Sequence, residues 1–437
     1  MSPVEQTPLL NGRRRQNQSL YFKLVKLIEA DGEPSWIDSY RWFIFGSWLN
    51  LLLLLVPVAA ASHYLNWDAP LRFGFSFIAI VPLAKLLGDA TEQMSLSLGQ
   101  TLAGLLNATF GNAVEIIVGL TALLQGEVRI VQTSMLGSIL SNILLVLGCS
   151  FLAGGIYIHE SEFQVTAAQT SSHIACALIL FAALVIPAAY HSAKHVISPV
   201  KGNLMASATD PLISDLDESA QKGLLIISRG TAILLLGVYI AYLIFQLKTH
   251  ASLFIAKPKP RDAEAHTNER APELEETPKM SVVAAGLGLL VVTIITSLVA
   301  DYLVASIEET ANRFEIPKSF IGLILLPIVA NAAEHVTSVW MAMKDKMELT
   351  IGICIGSSIQ IATFVVPLLV VVGWISGHEL TLFFDDFETV AFFVSVLLVN
   401  LLIQDGKSNY MEGLMLITLY LVIALACTSS HIFFFTS

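Results

Sequence analysis

Long apolar runs separated by short polar or charged stretches organise most of the chain. They fall at roughly 42–62, 71–96, 101–124, 130–153, 170–189, 224–247, 281–305, 319–342, 347–374, 387–403 and 411–433. Runs of this length match an α-helix crossing a bilayer, which needs about 17–25 residues and more when tilted. A membrane β-barrel would show short alternating segments instead. The pattern therefore predicts an all-α polytopic membrane protein with about eleven transmembrane helices. The longest polar stretches are 190–223 and 248–280.

Composition agrees with this. Only 14% of the 437 residues are charged and 55% are hydrophobic, against about 25% charged in a soluble domain. The net charge of −11 argues against a nucleic-acid partner and leaves the lipid bilayer as the expected surroundings. Cys149, Cys176, Cys354 and Cys427 lie singly within apolar runs, a pattern of small buried hydrophobes rather than of disulfides or a zinc site. The polar first forty residues contain no cleavable signal. They do contain Glu5 ahead of Leu9-Leu10, which fits an acidic dileucine sorting pattern. Placing the N-terminus in the cytosol puts about fifteen basic residues on the cytosolic side and about seven opposite, as the positive-inside rule demands.

A constant shift of 219 positions relates two parts of the chain. It aligns Asn112 with Asn331, Glu115 with Glu334, Gly137 with Gly356, Ser138 with Ser357 and Ser141 with Gln360. One register holding across two separated motifs indicates an internal repeat. Five spans per half, an odd number, make the second half enter the membrane from the opposite side. Inverted repeats of this kind place substrate sites near the bilayer midplane, where helices are interrupted. Gly111 and Pro327 mark candidate interruptions beside the two asparagines. Gly137, Gly352 and Gly356 read equally well as close-packing positions.

Glu115 and Glu334 fall in mid-span, where a carboxylate costs roughly 2.5 kcal/mol or more and is by default functional. The alternative is a structural carboxylate paired with a buried base, for which Lys85 and Arg229 are the candidates. Asn112 and Asn331 each precede a glutamate by three residues and share its helix face. Ser138, Ser141 and Asn142 recur at helical spacing on the next span, and Ser357 and Gln360 on its counterpart. Together these are hard oxygen donors with two negative charges, a set that suits calcium. Each neutral side chain could equally make an interhelical hydrogen bond. His335 faces about 100° away from Glu334 and reads as a packing residue. Glu92, Asp89, Asp301, Glu308 and Glu309 sit near span ends, lining access routes or simply solvated. Glu264, Glu269, Glu273, Glu275 and Glu276 form an acidic cluster in a solvated linker, with calcium sensing as the other reading. No HExxH or Ser-His set for hydrolysis is present, so an enzyme is not expected.

The stretches Leu105-Leu-Asn-Ala-Thr-Phe-Gly-Asn-Ala-Val-Glu115 and Val329-Ala-Asn-Ala-Ala-Glu-His335 resemble the paired repeat motifs of the vacuolar cation/proton exchangers of fungi and plants, members of the cation/calcium antiporter superfamily. Pro82–Glu92 and Ile227–Leu236 are also similar to that family. The resemblance implies an extra N-terminal helix (42–62) after a cytosolic tail (1–41), then five-helix repeats at 71–247 and 281–434 joined by a cytosolic acidic linker at 248–280. It implies exchange of cytosolic Ca2+ for lumenal H+ across an acidic organelle membrane, with no cofactor and with Mn2+ as an alternative cargo. Onto matching positions it carries Asn112, Glu115, Asn331 and Glu334 as the central site, with Ser138, Ser141, Asn142, Ser357 and Gln360 from the adjoining spans. It also implies a regulatory role for the acidic segment. The competing readings are a sodium- or potassium-coupled calcium exchanger of the same fold and a cation channel. Stoichiometry and oligomeric state are left open by the sequence.

Overall fold

A computed structural model describes residues 34–98, 100–158, 160–163, 211–250 and 278–435. Among these, seven helices are long and apolar enough to cross a membrane, and two further pairs, bent by 87° and 58°, bring the number to nine. Every expected span on described residues coincides with a helix or a broken pair of helices. The expected span at 170–189 lies outside the described residues, as do the tail 1–33 and the acidic linker 251–277.

The first described helix is α1 (Trp36–Phe45), capped by Ser35, whose hydroxyl accepts from the Asp38 N–H at 3.2 Å. Ser39 and Phe43 are buried, while Ile37, Phe45 and Trp48 are strongly exposed. The first span was expected to run straight from residue 42. Instead the chain turns 87° into α2 (Trp48–Tyr64). Asn50 holds the corner by donating to the Phe43 and Ile44 carbonyls at 2.9 and 3.0 Å, two of the acceptors that a helix end leaves unpaired.

α3 (Ala69–Leu98) and α8 (Val282–Phe314) are the most extensively packed pair among the described residues. At one end Arg72 pairs with Glu309 and Arg313 with Asp68. At the other, Gln93 Oε1 accepts from the Lys279 and Met280 N–H groups at 2.7 and 3.2 Å. The two helices therefore run antiparallel. α8 begins on the Ser281 cap and stops at Glu315, which has left-handed backbone (φ 55°).

Two helices on this framework are broken. α4 (Gln100–Phe110) gives way at Gly111–Asn112 to α5 (Ala113–Leu124). α9 (Lys318–Ala330) gives way at Asn331 to α10 (Ala332–Met343) with the 58° bend. Each break is followed by a long helix with one widened π turn. In α6 (Val128–Ile158) the turn is Ser141–Val146, and in α11 (Met347–Ser376) it is Ile361–Val365. These turns recur at the 219-residue shift that relates Asn112 to Asn331. α9 has a π turn of its own at Ile321–Leu325. In α9 and α11 a proline, Pro327 or Pro367, stands two residues past the turn. With no N–H it cannot satisfy the carbonyl four residues back, and the helix widens there.

α7 (Pro211–Ile244), α12 (Asp386–Leu402) and α13 (Tyr410–Phe435) complete the long helices among the described residues. Asp385 and Glu388 form a capping box on α12, and both pair with Arg129. The one departure from the all-helical expectation among the described residues is a two-stranded antiparallel sheet. In it β1 (Glu160–Glu162) pairs with β2 (Lys407–Asn409), beyond the ends of α6 and α12. Outward faces carry exposed Ile233, Leu234, Leu290, Ile294, Leu397 and Leu421, an apolar surface fitted to lipid rather than water.

Candidate ion-binding site

The two helix breaks meet inside the bundle with their carboxylates close together. Asn112 occupies the cap position of α5, which places Glu115 in the first turn of that helix. Asn331 and Glu334 hold the same relation in α10. A helix start carries positive partial charge, so it suits an anionic side chain even inside a membrane. Glu115 is buried at 3% exposure, whereas Glu334 is only partly buried. The two lie within electrostatic range of each other.

Hydrogen bonds interlock the two halves around them. Asn112 Nδ2 donates to Gln360 Oε1 at 2.6 Å. Asn331 Nδ2 donates to the Ser138 carbonyl at 3.1 Å. Asn142 Nδ2 donates to Ser357 Oγ at 3.0 Å, and the Ser357 hydroxyl reaches Glu334 Oε2 at 3.2 Å and the Ile353 carbonyl at 2.9 Å. Three of these contacts, Asn112–Gln360, Asn331–Ser138 and Asn142–Ser357, join one half to the other rather than lying within one half.

The amide groups of Asn112, Asn142 and Asn331 donate, yet their Oδ1 atoms are buried and accept nothing. A buried acceptor without a donor costs about 1–3 kcal/mol. Three such oxygens beside two carboxylates form a donor set made for a hard cation, and Ca2+ takes six to eight oxygens of this kind. A small cavity adjoins Glu115, lined in part by Ser134, Ser138, Leu326 and Pro327, with about 10 Å³ of room for the centre of a water molecule. Among the described residues no group of three or more His, Cys, Asp or Glu side chains gathers to hold a metal. The cluster depends on amide and hydroxyl oxygens for the rest of its donors.

Most of the expected site residues converge here, with some changes of part. Ser138 contributes its carbonyl to Asn331, and its side chain lines the cavity. The Gln360 amide oxygen is already engaged by Asn112. Ser141 is buried at the start of its π turn. His335 is half-buried, and only its backbone N–H, donating to the Asn331 carbonyl, touches the cluster. Glu92 is exposed near the end of α3. Asp301 accepts from Gln125 at 2.6 Å, away from the cluster. Glu308 pairs with Lys318. Glu273, Glu275 and Glu276 lie outside the described residues. The buried bases do not reach the glutamates: Lys85 pairs with Asp89, and Arg229 lies over the Trp374 ring at 5.1 Å.

Broken helices that meet head to head around two carboxylates are a transporter arrangement, and sequence comparison fixes which one. The sodium/calcium exchanger protein family model matches residues 69–248 and 284–429. The chain belongs to the sodium/calcium exchanger protein family. Within it, the chain is 44% identical to a vacuolar calcium ion transporter of Schizosaccharomyces pombe, over 97% of this chain and 92% of that one. It is 40% identical to vacuolar cation/proton exchanger 3 of Oryza sativa, over 95% and 93% of the two chains. The solved Ca2+/H+ antiporter protein YfkE is 29% identical with a TM-score of 0.66, covering 89% of this chain and 99% of that one.

The sequence reading missed the π turns and the residues packed on them. A proline two positions downstream signals two of the four among the described residues; Ser141–Val146 and Phe245–Thr249, which follows α7, have no such mark. It also missed Tyr420, discussed below.

Proposed function

We propose that this exchanger moves cytosolic Ca2+ into the lumen of an acidic, vacuole-type organelle in exchange for H+, by alternating access to one central site. The single observation that carries this reading is the cluster of Glu115 and Glu334 with three buried amide oxygens that accept no hydrogen bond. The relatives named above, a vacuolar calcium transporter, a vacuolar cation/proton exchanger and a Ca2+/H+ antiporter, support the choice of ions and compartment.

In this reading Glu115 and Glu334 hold either one Ca2+ or up to two protons. Asn112, Asn331, Asn142, Ser138, Ser141, Ser357 and Gln360 supply neutral oxygens around them. Both loaded forms carry little net charge through the membrane, while the empty doubly charged site and the doubly occupied site are costly there. That exclusion is the coupling. Each pH unit of gradient supplies about 1.4 kcal/mol per proton, so two protons drive accumulation where one does little. The chain has eleven spans arranged as an extra helix and two inverted repeats, with the N-terminus in the cytosol. The acidic segment of 248–280 modulates transport without taking part in the site. Mn2+ is the second divalent cargo that an all-oxygen site accommodates.

The test is Ca2+ uptake into proteoliposomes with an imposed pH gradient, repeated with sodium and potassium gradients. Uptake should require the acidic interior, collapse with a protonophore, and ignore the monovalent gradients. Uptake that follows sodium or potassium and disregards pH would reject proton coupling in favour of a monovalent-coupled exchanger.

A further inference from the structure

Each π turn next to the site is covered by a buried tyrosine from the other half of the chain. Tyr239 on α7 stacks on Phe364 in the turn Ile361–Val365, with ring centroids 5.1 Å apart. Tyr420 on α13 lies against the Ser141 hydroxyl, at the first residue of the turn Ser141–Val146. Both tyrosines are buried, at 4% and 2% exposure; the Tyr239 hydroxyl has no hydrogen-bond partner, and the Tyr420 and Ser141 hydroxyls approach each other without reaching hydrogen-bond geometry. The Ser141 hydroxyl is buried and unbonded as well. The position of Tyr420 is set by backbone-close packing of α13 on α6. A side chain at Gly413 would collide with the Leu152 backbone, and one at Gly155 with the Tyr410 backbone.

A phenol sealed in an apolar interior usually finds a partner. An empty pair of facing hydroxyls is therefore an unfinished contact. The geometry points to Tyr420 as a positioning residue for the ion site: when Ca2+ binds, Ser141 turns its lone pairs to the ion and donates its O–H in a hydrogen bond to the Tyr420 oxygen. A hydroxyl bound to a cation loses its capacity to accept and becomes a stronger donor, so it needs an acceptor behind it. Outer partners of this sort orient metal ligands and tune their donation. The need is one-sided. The residue equivalent to Ser141 is Gln360, whose amide oxygen carries no O–H to donate, and Tyr239 on that side rests on a phenylalanine ring.

This inference rests on Ser141 being a Ca2+ ligand, so the experiment separates the two claims. Half-saturating Ca2+ and maximal uptake rate are measured in proteoliposomes for S141A, Y420F, the double variant and Y239F. The expected result is a rise of about tenfold in half-saturating Ca2+ for Y420F, the lower end of outer-partner effects, with little change in maximal rate. S141A should behave alike, and the double variant should be no worse than S141A. Y239F, which removes the same atom from an equally buried tyrosine, should match the wild type. Phenylalanine keeps the ring packing, and Ca2+ binding to detergent-purified protein by calorimetry provides a second readout independent of transport. If S141A is unaffected, Ser141 is not a ligand and the inference falls with it. If S141A weakens Ca2+ binding while Y420F does not, or the two losses add, the ligand reading stands and the role of Tyr420 is wrong. Equal losses in Y420F and Y239F would mark a packing effect and overturn the assignment too.

Discussion

Gly137 and Gly356 are equivalent in sequence register and live in opposite surroundings. A Cβ at Gly137 would collide with the Leu323 carbonyl and the Pro327 ring, and one at Gly322 would collide with Thr133. α6 and α9 are pressed together at these two glycines. At Gly352 and Gly356 on α11 a Cβ would meet nothing within 4 Å among the described residues. The helix that corresponds to α9 is α4, and it packs on α3 and on the π turn Phe245–Thr249 that follows α7 instead. Leu102, Leu105 and Asn107 on α4 are exposed. Glu115, beside the closed pair, is sealed, while Glu334, beside the open face, is partly accessible. Two halves with one sequence signature are thus held in different states, one closed and one open. That is the asymmetry a carrier with a single central site needs at any instant.

The harshest test of the comparison removes either charge. E115Q and E334Q should each abolish Ca2+ exchange while leaving a folded, membrane-inserted protein, measured by uptake and by size-exclusion profile. Substantial uptake by one of them would mean that the halves are unequal in chemistry and not only in packing. Next come the glycines. G137L should destabilise the fold by about 1–3 kcal/mol or more through overpacking, seen as a lower melting temperature. G356L should leave the melting temperature near wild type yet slow transport at least tenfold, because it fills the space that α4 must enter when the second half closes. Unimpaired uptake by G356L would show that this face never closes.

A smaller effect is expected from the neutral donors. N112A and N331A should raise half-saturating Ca2+ several-fold with modest loss of maximal rate, since the charge of the divalent ion stays balanced without them. Q360A removes the acceptor of the Asn112 amide, so it should act through Asn112, with an effect less than additive with N112A. The smallest is deletion of 264–276, which should leave transport intact and at most alter its Ca2+ dependence. Loss of uptake in a correctly inserted deletion would place part of the machinery in the linker.

The spans and the two breaks were legible in the sequence because their causes are local. Apolar length marks a crossing, and Gly111, Pro327 and a mid-span Asn-x-x-Glu mark an interruption. The meeting of the halves was legible through the 219-residue register, which paired Asn112, Glu115, Asn331 and Glu334 before any contact was known. What stayed hidden depends on direction and partnership. Composition does not tell that Ser138 offers its carbonyl or that the Gln360 oxygen is occupied by an amide. The same Gly-x3-Gly spacing at 352 and 356 reads as close packing, yet here it faces open space, because packing depends on where a distant helix lies. The turn at Asn50 was invisible for a related reason. Gly46 and Ser47 interrupt the apolar stretch there, but nothing in the sequence tells that Asn50 will cap two carbonyls and hold the corner.

The antiparallel pair α3 and α8 has a mechanical consequence. Ion pairs bind it at one end, Arg72 with Glu309 and Arg313 with Asp68, and backbone hydrogen bonds to Gln93 bind it at the other. Helices clamped at both ends resist shear. A slip of one turn, about 5.4 Å, would break every one of these ties at once. The pair therefore behaves as a single strut, and relative motion is left to lightly held parts such as α4. Stiffness in this bundle is distributed unevenly, with the clamped long rods rigid along their axes and α4 held by fewer ties.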